Sequence, residues 1–362
     1  MKILIVQDRL RSGGTERQSI LLANAFAAAG HPTTLLTFRP GGALASTVAA
    51  NVSRSVLQPF DTRLDWFAPK LYQGIATNGP DLILCMGRMA NCYAGGLQER
   101  FPSTAVIATM RTGKILPRLY HRSLGIVRHV VANSHEASAT LSERYGLPPE
   151  RISVIHNSLV FPPAPGTDVR AQLRAAQNAT AQTVVLLCVA MFRPEKNQRE
   201  LIEIAAQLPA ALDWQLWLGG DGPARAKCEK LVAKKSLSAR VKFLGWQRDP
   251  APLYAAADLA AHASSSEALS NFLIEAQASG LPVVAYNAQG ISECFVPGDT
   301  GFVIARDDRT AFRQKIIELA QAGEAAKAAR AGRARTYARS TFDHDQQVAR
   351  YLDLFANMYN RS

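Results

Sequence analysis

Short apolar runs alternate with amphipathic stretches along most of this chain. Lys2 to Gln7 forms a run suited to a strand buried on both faces, and from about Glu16 to Ala29 apolar residues recur at helical spacing. Gly30 ends that helix and His31-Pro32 leads into a second run, Thr33 to Phe38, which completes a βαβ unit. Asp81 to Met86, Ala105 to Met110 and Val127 to Asn133 repeat the strand pattern, separated by helical or loop segments. Such alternation predicts an α/β fold with an open parallel sheet wound on both faces and ligands at the strands' carboxyl ends. The pattern breaks between Phe161 and about Thr183, where Pro162, Pro163, Pro165 and Gly166 precede a polar helix, and a domain boundary belongs there. A second series follows, with strands over Val184–Ala190, Trp214–Gly219, Val241–Leu244 and Leu259–His262 and a helix over about Asn197–Leu208. Helices are expected over Thr310–Ala322, Ala325–Arg339 and about Asp345–Asn360. Two Rossmann-like doubly wound domains result, over residues 1–162 and 163–342, with a cleft between them.

The stretch Ser264 to Tyr286, SSSEALSNFLIEAQASGLPVVAY, concentrates the candidate chemistry. It predicts a polar loop, a short helix opening at Ser270 or Asn271 and closed by Gly280 and Pro282, and a buried strand over Val283–Tyr286. Ser270 is a natural N-cap, and the amides of Asn271, Phe272 and Leu273 would form a donor-rich helix end suited to a phosphate. Glu275 lies one turn inside, on the side of Asn271, and Glu267 precedes the tip. A carboxylate beside a bound anion is costly unless it accepts from neutral hydroxyls, and sugar hydroxyls meet that need. Taken singly, each glutamate is equally at home as a solvated surface residue.

Cations gather at other strand ends. Arg193 and Lys196 in MFRPEKNQ leave the carboxyl edge of the second domain's first strand, where arginine as a fork and lysine as a point charge could neutralise a pyrophosphate. Arg88, Arg111 and Lys114 follow strands of the first domain and are candidates to orient an anionic acceptor. The Gly13-Gly14 pair permits close backbone approach to a bound group.

Charge and cysteine usage narrow the setting. The net charge of +12 is concentrated early, since residues 1–160 hold 17 Lys and Arg against 9 Asp and Glu, and no acid occurs between Arg100 and His135. Such a field suits anions, whether nucleic acid, acidic lipid head groups or phosphorylated acceptors. The segment GKILPRLYHRSLGIVRH mixes apolar residues with cations as a surface-membrane element would, although Pro117 and Gly125 weaken a continuous helix. The five cysteines are scattered without metal-ligand spacing and read as reduced thiols. With no long apolar span and no signal-peptide pattern, a cytoplasmic protein is expected. Asp343-His344-Asp345 has a metal-motif spacing but opens a terminal helix, so capping is its expected role.

Taken together, the Glu267 to Glu275 spacing with Ser-Asn between and SGLPVVA after, the GGTERQ loop, Lys196 and the LGGDGPAR turn resemble retaining glycosyltransferases of the GT4 family, which have the GT-B fold. The resemblance runs from Gly13 to the last helix, and it implies that this helix crosses back to the first domain, at about residues 343–362. It implies that Glu267 lies near the donor sugar and Glu275 holds ribose. Ser270 to Leu273 and the Gly13-Gly14 loop would approach the diphosphate, and Gly245-Trp246 the base, with uridine preferred. Catalysis would rest on Lys196, Arg193 and Glu267, with no metal or other cofactor and no protein nucleophile. The acceptor would be a glycan or lipid-linked hydroxyl in bacterial envelope synthesis, reached from the cytoplasmic side with an anionic membrane surface as a partner and no nucleic acid. Three departures stand out: Ala268 replaces a usual glycine, Met191 the usual arginine, and MRTG at Met110–Gly113 a usual histidine. A nucleotide-sugar epimerase of the same architecture, a basic nucleic-acid-binding protein and a membrane scaffold that binds nucleotide sugars without turnover remain as alternatives.

Overall fold

The computed structural model describes residues 1–161 and 166–360, so the prolines at 162, 163 and 165 lie outside the described residues. The chain divides into two compact units: Met1–Ser158 with His344–Ser362, and Leu159–Asp343.

The first unit is a seven-stranded sheet, parallel throughout, in the order β3-β2-β1-β4-β5-β6-β7. Its strands are β1 (Ile3–Gln7), β2 (Thr33–Thr37), β3 (Ser53–Val56), β4 (Leu82–Cys85), β5 (Ala105–Met110), β6 (His129–Ala132) and β7 (Ile152–Val154). Strands β1, β2, β4, β5 and β6 are buried along their whole length, as helices on both faces require. The helices are α1 (Gly14–Ala28), α2 (Leu71–Asn78), α3 (Arg88–Arg100), α4 (Arg118–Ile126) and α5 (His135–Tyr145). Pro117 stands at the N-cap of α4 and Gly125 in its last turn, so the segment that looked interrupted forms a helix between them. It buries Tyr120, Ser123 and Leu124 and leaves Ile115 and Leu119 exposed.

The second unit is a six-stranded parallel sheet in the order β10-β9-β8-β11-β12-β13. Its strands are β8 (Val184–Val189), β9 (Trp214–Gly219), β10 (Val241–Gly245), β11 (Leu259–His262), β12 (Val283–Tyr286) and β13 (Gly301–Ile304). Its helices are α6 (Thr167–Ala176), α7 (Gln198–Ala205), α8 (Arg225–Lys234), α9 (Ala251–Ala256), α10 (Asn271–Ala278), α11 (Arg309–Gln321) and α12 (Glu324–Thr341). In both sheets the strand order reverses beside the first strand, at β1/β4 and at β8/β11, which is where open α/β sheets place their ligands.

The chain re-enters the first unit at His344, where α13 (His344–Tyr359) begins. Phe355 and Tyr351 of α13 pack edge-on against Phe26 of α1, with ring centroids 5.3 and 6.2 Å away. His344 itself meets Ser158 Oγ through Nδ1 at 2.5 Å, a structural contact at the point where the chain crosses.

Candidate donor site

Loops leaving the carboxyl ends of β8, β9 and β10 are joined by backbone bonds. Phe192 N donates to Asp221 O at 2.9 Å, and Gly220 N donates to Gly245 O at 2.6 Å. Gly220, at φ +133°, lies so close that a Cβ there would stand 2.1 Å from Ala190 O, which is why the turn after β9 needs glycine. Past Phe192 the chain makes a short 3-10 turn, Pro194–Lys196, and this turn is clasped by the loop that follows β11. Glu195 O accepts from Ser265 N at 2.8 Å and from Ser264 Oγ at 3.0 Å.

That clasp presents Lys196 to Glu267. The ammonium lies 2.5 Å from Glu267 Oε1, and His262 Nε2 at the end of β11 lies 2.7 Å from the same oxygen. Glu267 is 8% exposed and His262 wholly buried. Burial pushes the Glu267 carboxyl up, but the Lys196 charge and the His262 hydrogen bond outweigh it and hold this acid well below the usual carboxylate range. Glu267 is therefore a fixed anion inside the unit.

A second carboxylate is reached through an aromatic bridge. The Phe272 ring, in the first turn of α10, lies 5.6 Å from the His262 ring and stacks on Tyr254 at 6.2 Å. The Tyr254 hydroxyl donates to Glu275 Oε2 at 2.5 Å. Lys196, Glu267, His262, Phe272, Tyr254 and Glu275 thus form one chain of contacts within the second unit. Sequence reasoning missed His262 and Tyr254, whose signal was only a buried polar group at a strand end and an aromatic in a short helix.

The helix tip differs from expectation in two respects. Ser270 is the N-cap of α10, but its hydroxyl caps no backbone amide; its N–H instead faces Cys294 Sγ at 3.4 Å. The amide of Leu273 bonds Ser270 O at 3.1 Å, a tight first turn that removes it from the donors available to a ligand. Ala268 is buried, and Gly290, at φ +72°, approaches its backbone so closely that a Cβ there would meet Ala268 O. Arg193 is half-buried at the start of the 3-10 turn, and its guanidinium makes no ion pair among the described residues. Gly245, at φ +70°, ends β10 and is followed by Trp246, which is 46% exposed.

The candidates in the first unit lie on separate loops and helix starts. Arg111 donates to Asn157 Oδ1 at 2.7 Å and to the Tyr351 hydroxyl at 2.8 Å, which ties the end of β5 to α13. Arg88, exposed at the start of α3, donates to Ile115 O at 3.2 Å. Lys114 N bonds Thr112 Oγ1 at 3.1 Å within the loop after β5. Gly13 is the N-cap of α1 and Gly14 its first residue; a Cβ on Gly13 would collide with the Glu16 side chain.

Two parallel-sheet units of this topology, with a lysine–glutamate pair at the edge of the second, define a protein of the GT-B class. Family models agree: that for Glycosyltransferase Family 4 matches residues 12–159, and that for glycosyl transferases group 1 matches residues 169–335. The chain belongs to this family of glycosyltransferases. It is 34% identical over 146 residues to the lipopolysaccharide core biosynthesis glycosyltransferase LpsE of Rhizobium meliloti, covering 40% of this chain and 42% of that one. It is 34% identical over 213 residues to D-inositol 3-phosphate glycosyltransferase of Rhodococcus opacus, covering 53% and 46%. The matched parts thus span less than half the length of these curated relatives. Among solved structures it resembles Anabaena HepE in complex with UDP and glucose, with a TM-score of 0.85 at 23% identity over 99% of this chain and 100% of that one. Sucrose-phosphate synthase from Thermosynechococcus elongatus gives a TM-score of 0.85 at 21% identity, with both chains wholly covered.

Proposed function

We propose that this protein transfers a sugar from a UDP-sugar to a hydroxyl acceptor, with retention of anomeric configuration and without a metal, in the synthesis of a bacterial envelope polysaccharide or lipopolysaccharide. The observation that carries this reading is the buried anion Glu267 paired to Lys196 at a strand edge, connected through Phe272 to Glu275. Lys196, Arg193 and the amides at the tip of α10 would stabilise the departing diphosphate, supplying the charge a divalent ion supplies elsewhere. Glu275 would accept from ribose hydroxyls and Glu267 from those of the donor sugar. Exposed Trp246 and Gly245 would border the base. The departing phosphate would take the acceptor's proton on the same face, so no protein nucleophile is required.

UDP is favoured by the HepE complex with UDP and glucose, and the envelope role by LpsE. Ile115 and Leu119 are exposed beside Lys114 and Arg118, which suits contact with an anionic membrane surface where lipid-linked acceptors reside. Among the described residues no helix is long and apolar enough to cross a membrane.

The test is a thermal-shift series with UDP-, GDP- and ADP-sugars, then acceptor trials with the stabilising donor in the presence and absence of EDTA. A UDP-sugar should raise Tm, and transfer should survive chelation with the anomeric configuration retained by NMR. Isomerisation of the donor alone would instead identify an epimerase.

A further inference from the structure

Three groups meet at Glu267 Oε1, and they differ in freedom. The His262 ring is fully buried on β11 and packed against Phe272, whereas the Lys196 side chain is 24% exposed on a short turn. Both donors use the same carboxylate oxygen, and Oε2 hydrogen-bonds nothing among the described residues. A diphosphate arriving at this edge offers an ammonium more negative charge than one carboxylate does, and Lys196 is the partner free to turn toward it.

We propose that His262 keeps Glu267 in place and ionised while Lys196 passes from that carboxylate to the donor's diphosphate. This positioning role rests on the donor-binding reading above. Once the lysine turns away, Glu267 loses its nearest cation and gains an anionic neighbour, and both changes favour protonation of a buried carboxyl. The Nε2–H of His262 is the bond that opposes this. Its Nδ1 is buried without a hydrogen-bond partner among the described residues, so the ring's hydrogen bonding runs through Nε2 to Glu267. Among the described residues the Cys188 thiol of β8 also faces Glu267; burial pushes it up to about 12, so it carries no charge that could take over the lysine's part.

Proton linkage tests this without turnover. Binding of UDP-glucose, whose diphosphate is esterified at both ends and holds no titrating proton in this range, to the wild type, His262→Gln and His262→Phe is followed calorimetrically from pH 6 to 8 in buffers of different ionisation heat. Glutamine keeps an N–H donor; phenylalanine keeps ring volume without one. Wild type and His262→Gln should bind UDP-glucose with no net proton exchange. His262→Phe should take up close to one proton per UDP-glucose toward the acid end, and its affinity should rise as pH falls, by up to about tenfold per pH unit. His262→Asn, too short to reach the carboxylate, should match phenylalanine and serves if the latter does not fold. Proton uptake by the wild type, its absence in both donor-less variants, or a glutamine variant that behaves like phenylalanine would each overturn the assignment. UDP-glucose binding that is proton-neutral throughout defeats this proposal alone, whereas no binding of UDP-, GDP- or ADP-sugars by the wild type defeats the donor reading as well.

Discussion

Asp8 and Glu267 both lie past the carboxyl end of a parallel strand, β1 in one unit and β11 in the other, yet their acidities move in opposite directions. Burial pushes Asp8 up to about 6, against hydrogen bonds from the Ala90 and Met89 amides, with Glu16 and Asp65 adding repulsion. Burial also pushes Glu267 up, but Lys196 and His262 reverse the outcome. Desolvation acts on both; what differs is a cation within reach. Two arginines of the first unit are committed elsewhere: Arg39 to Asp61 and Asp65, Arg111 to Asn157 and Tyr351. An anion beside a cation with solvent access is equipped for ligand exchange, while an amide-held carboxylate is equipped to fix a helix end.

The strongest way to break this comparison is to remove the cation. Lys196→Ala should slow transfer on the order of 10²–10³-fold, the loss typical of one transition-state charge donor, measured under single-turnover conditions at saturating donor. The same variant sharpens the electrostatic point. A carboxylate whose folded-state acidity is strengthened stabilises the fold above its ordinary value of 4.5 and loses that contribution as pH falls through the depressed folded value. In Lys196→Ala the carboxyl is less depressed, so the stability lost as pH falls below 4.5 should shrink, as followed by urea unfolding between pH 3 and 7. An unmoved acid limb would mean that the lysine does not hold this carboxylate.

Much of the second unit was legible in the sequence because its chemistry is local. Glu267, Ser270, Asn271 and Glu275 share one loop and one helix, and Lys196 follows a strand that its apolar run announces. Side-chain contacts were not legible: His262 meets Glu267 only because the loop after β11 folds back on the strand end, Lys196 reaches it through the turn clasped by Ser264 and Ser265, and Tyr254 meets Glu275 beside the Phe272 stack. The polar edge strand β3, Ser-Arg-Ser-Val, carries no apolar run and was missed. The bond from Arg111 to Tyr351, 240 residues away, is likewise announced by no spacing.

Within the second unit, Glu275→Ala should weaken donor binding by about tenfold or more, as expected when a charged acceptor of hydrogen bonds is lost. Tyr254→Phe should weaken it less, because the carboxylate remains and only its orientation is loosened; titration calorimetry ranks the two, and equal effects would show that the tyrosine bond is what matters. In the first unit, Arg111→Leu should cost about 1.5–3 kcal/mol of stability, since two hydrogen bonds from a charged group are lost. Donor affinity should not change. A denaturation midpoint that stays put while acceptor KM rises would return Arg111 to the acceptor site.

The smallest effect tests the other carboxylate. Because Asp8 is the weaker acid in the folded state, the native protein holds its proton between the ordinary value of 3.8 and about 6, where the unfolded chain has released it. Stability therefore falls as pH rises through that window and is flat above it, opposite in sign to the Glu267 contribution. Asp8→Asn keeps an oxygen for one of the α3 amides and cannot ionise, so it should abolish this decline. The difference should be on the order of 1 kcal/mol once partial solvent screening is allowed for, read as the change in unfolding free energy between pH 4 and 6.5. If Asp8→Asn lowers stability equally at both pH values, the hydrogen bonds to Met89 and Ala90 dominate. The contrast between a screened and an unscreened anion would then hold for Glu267 alone.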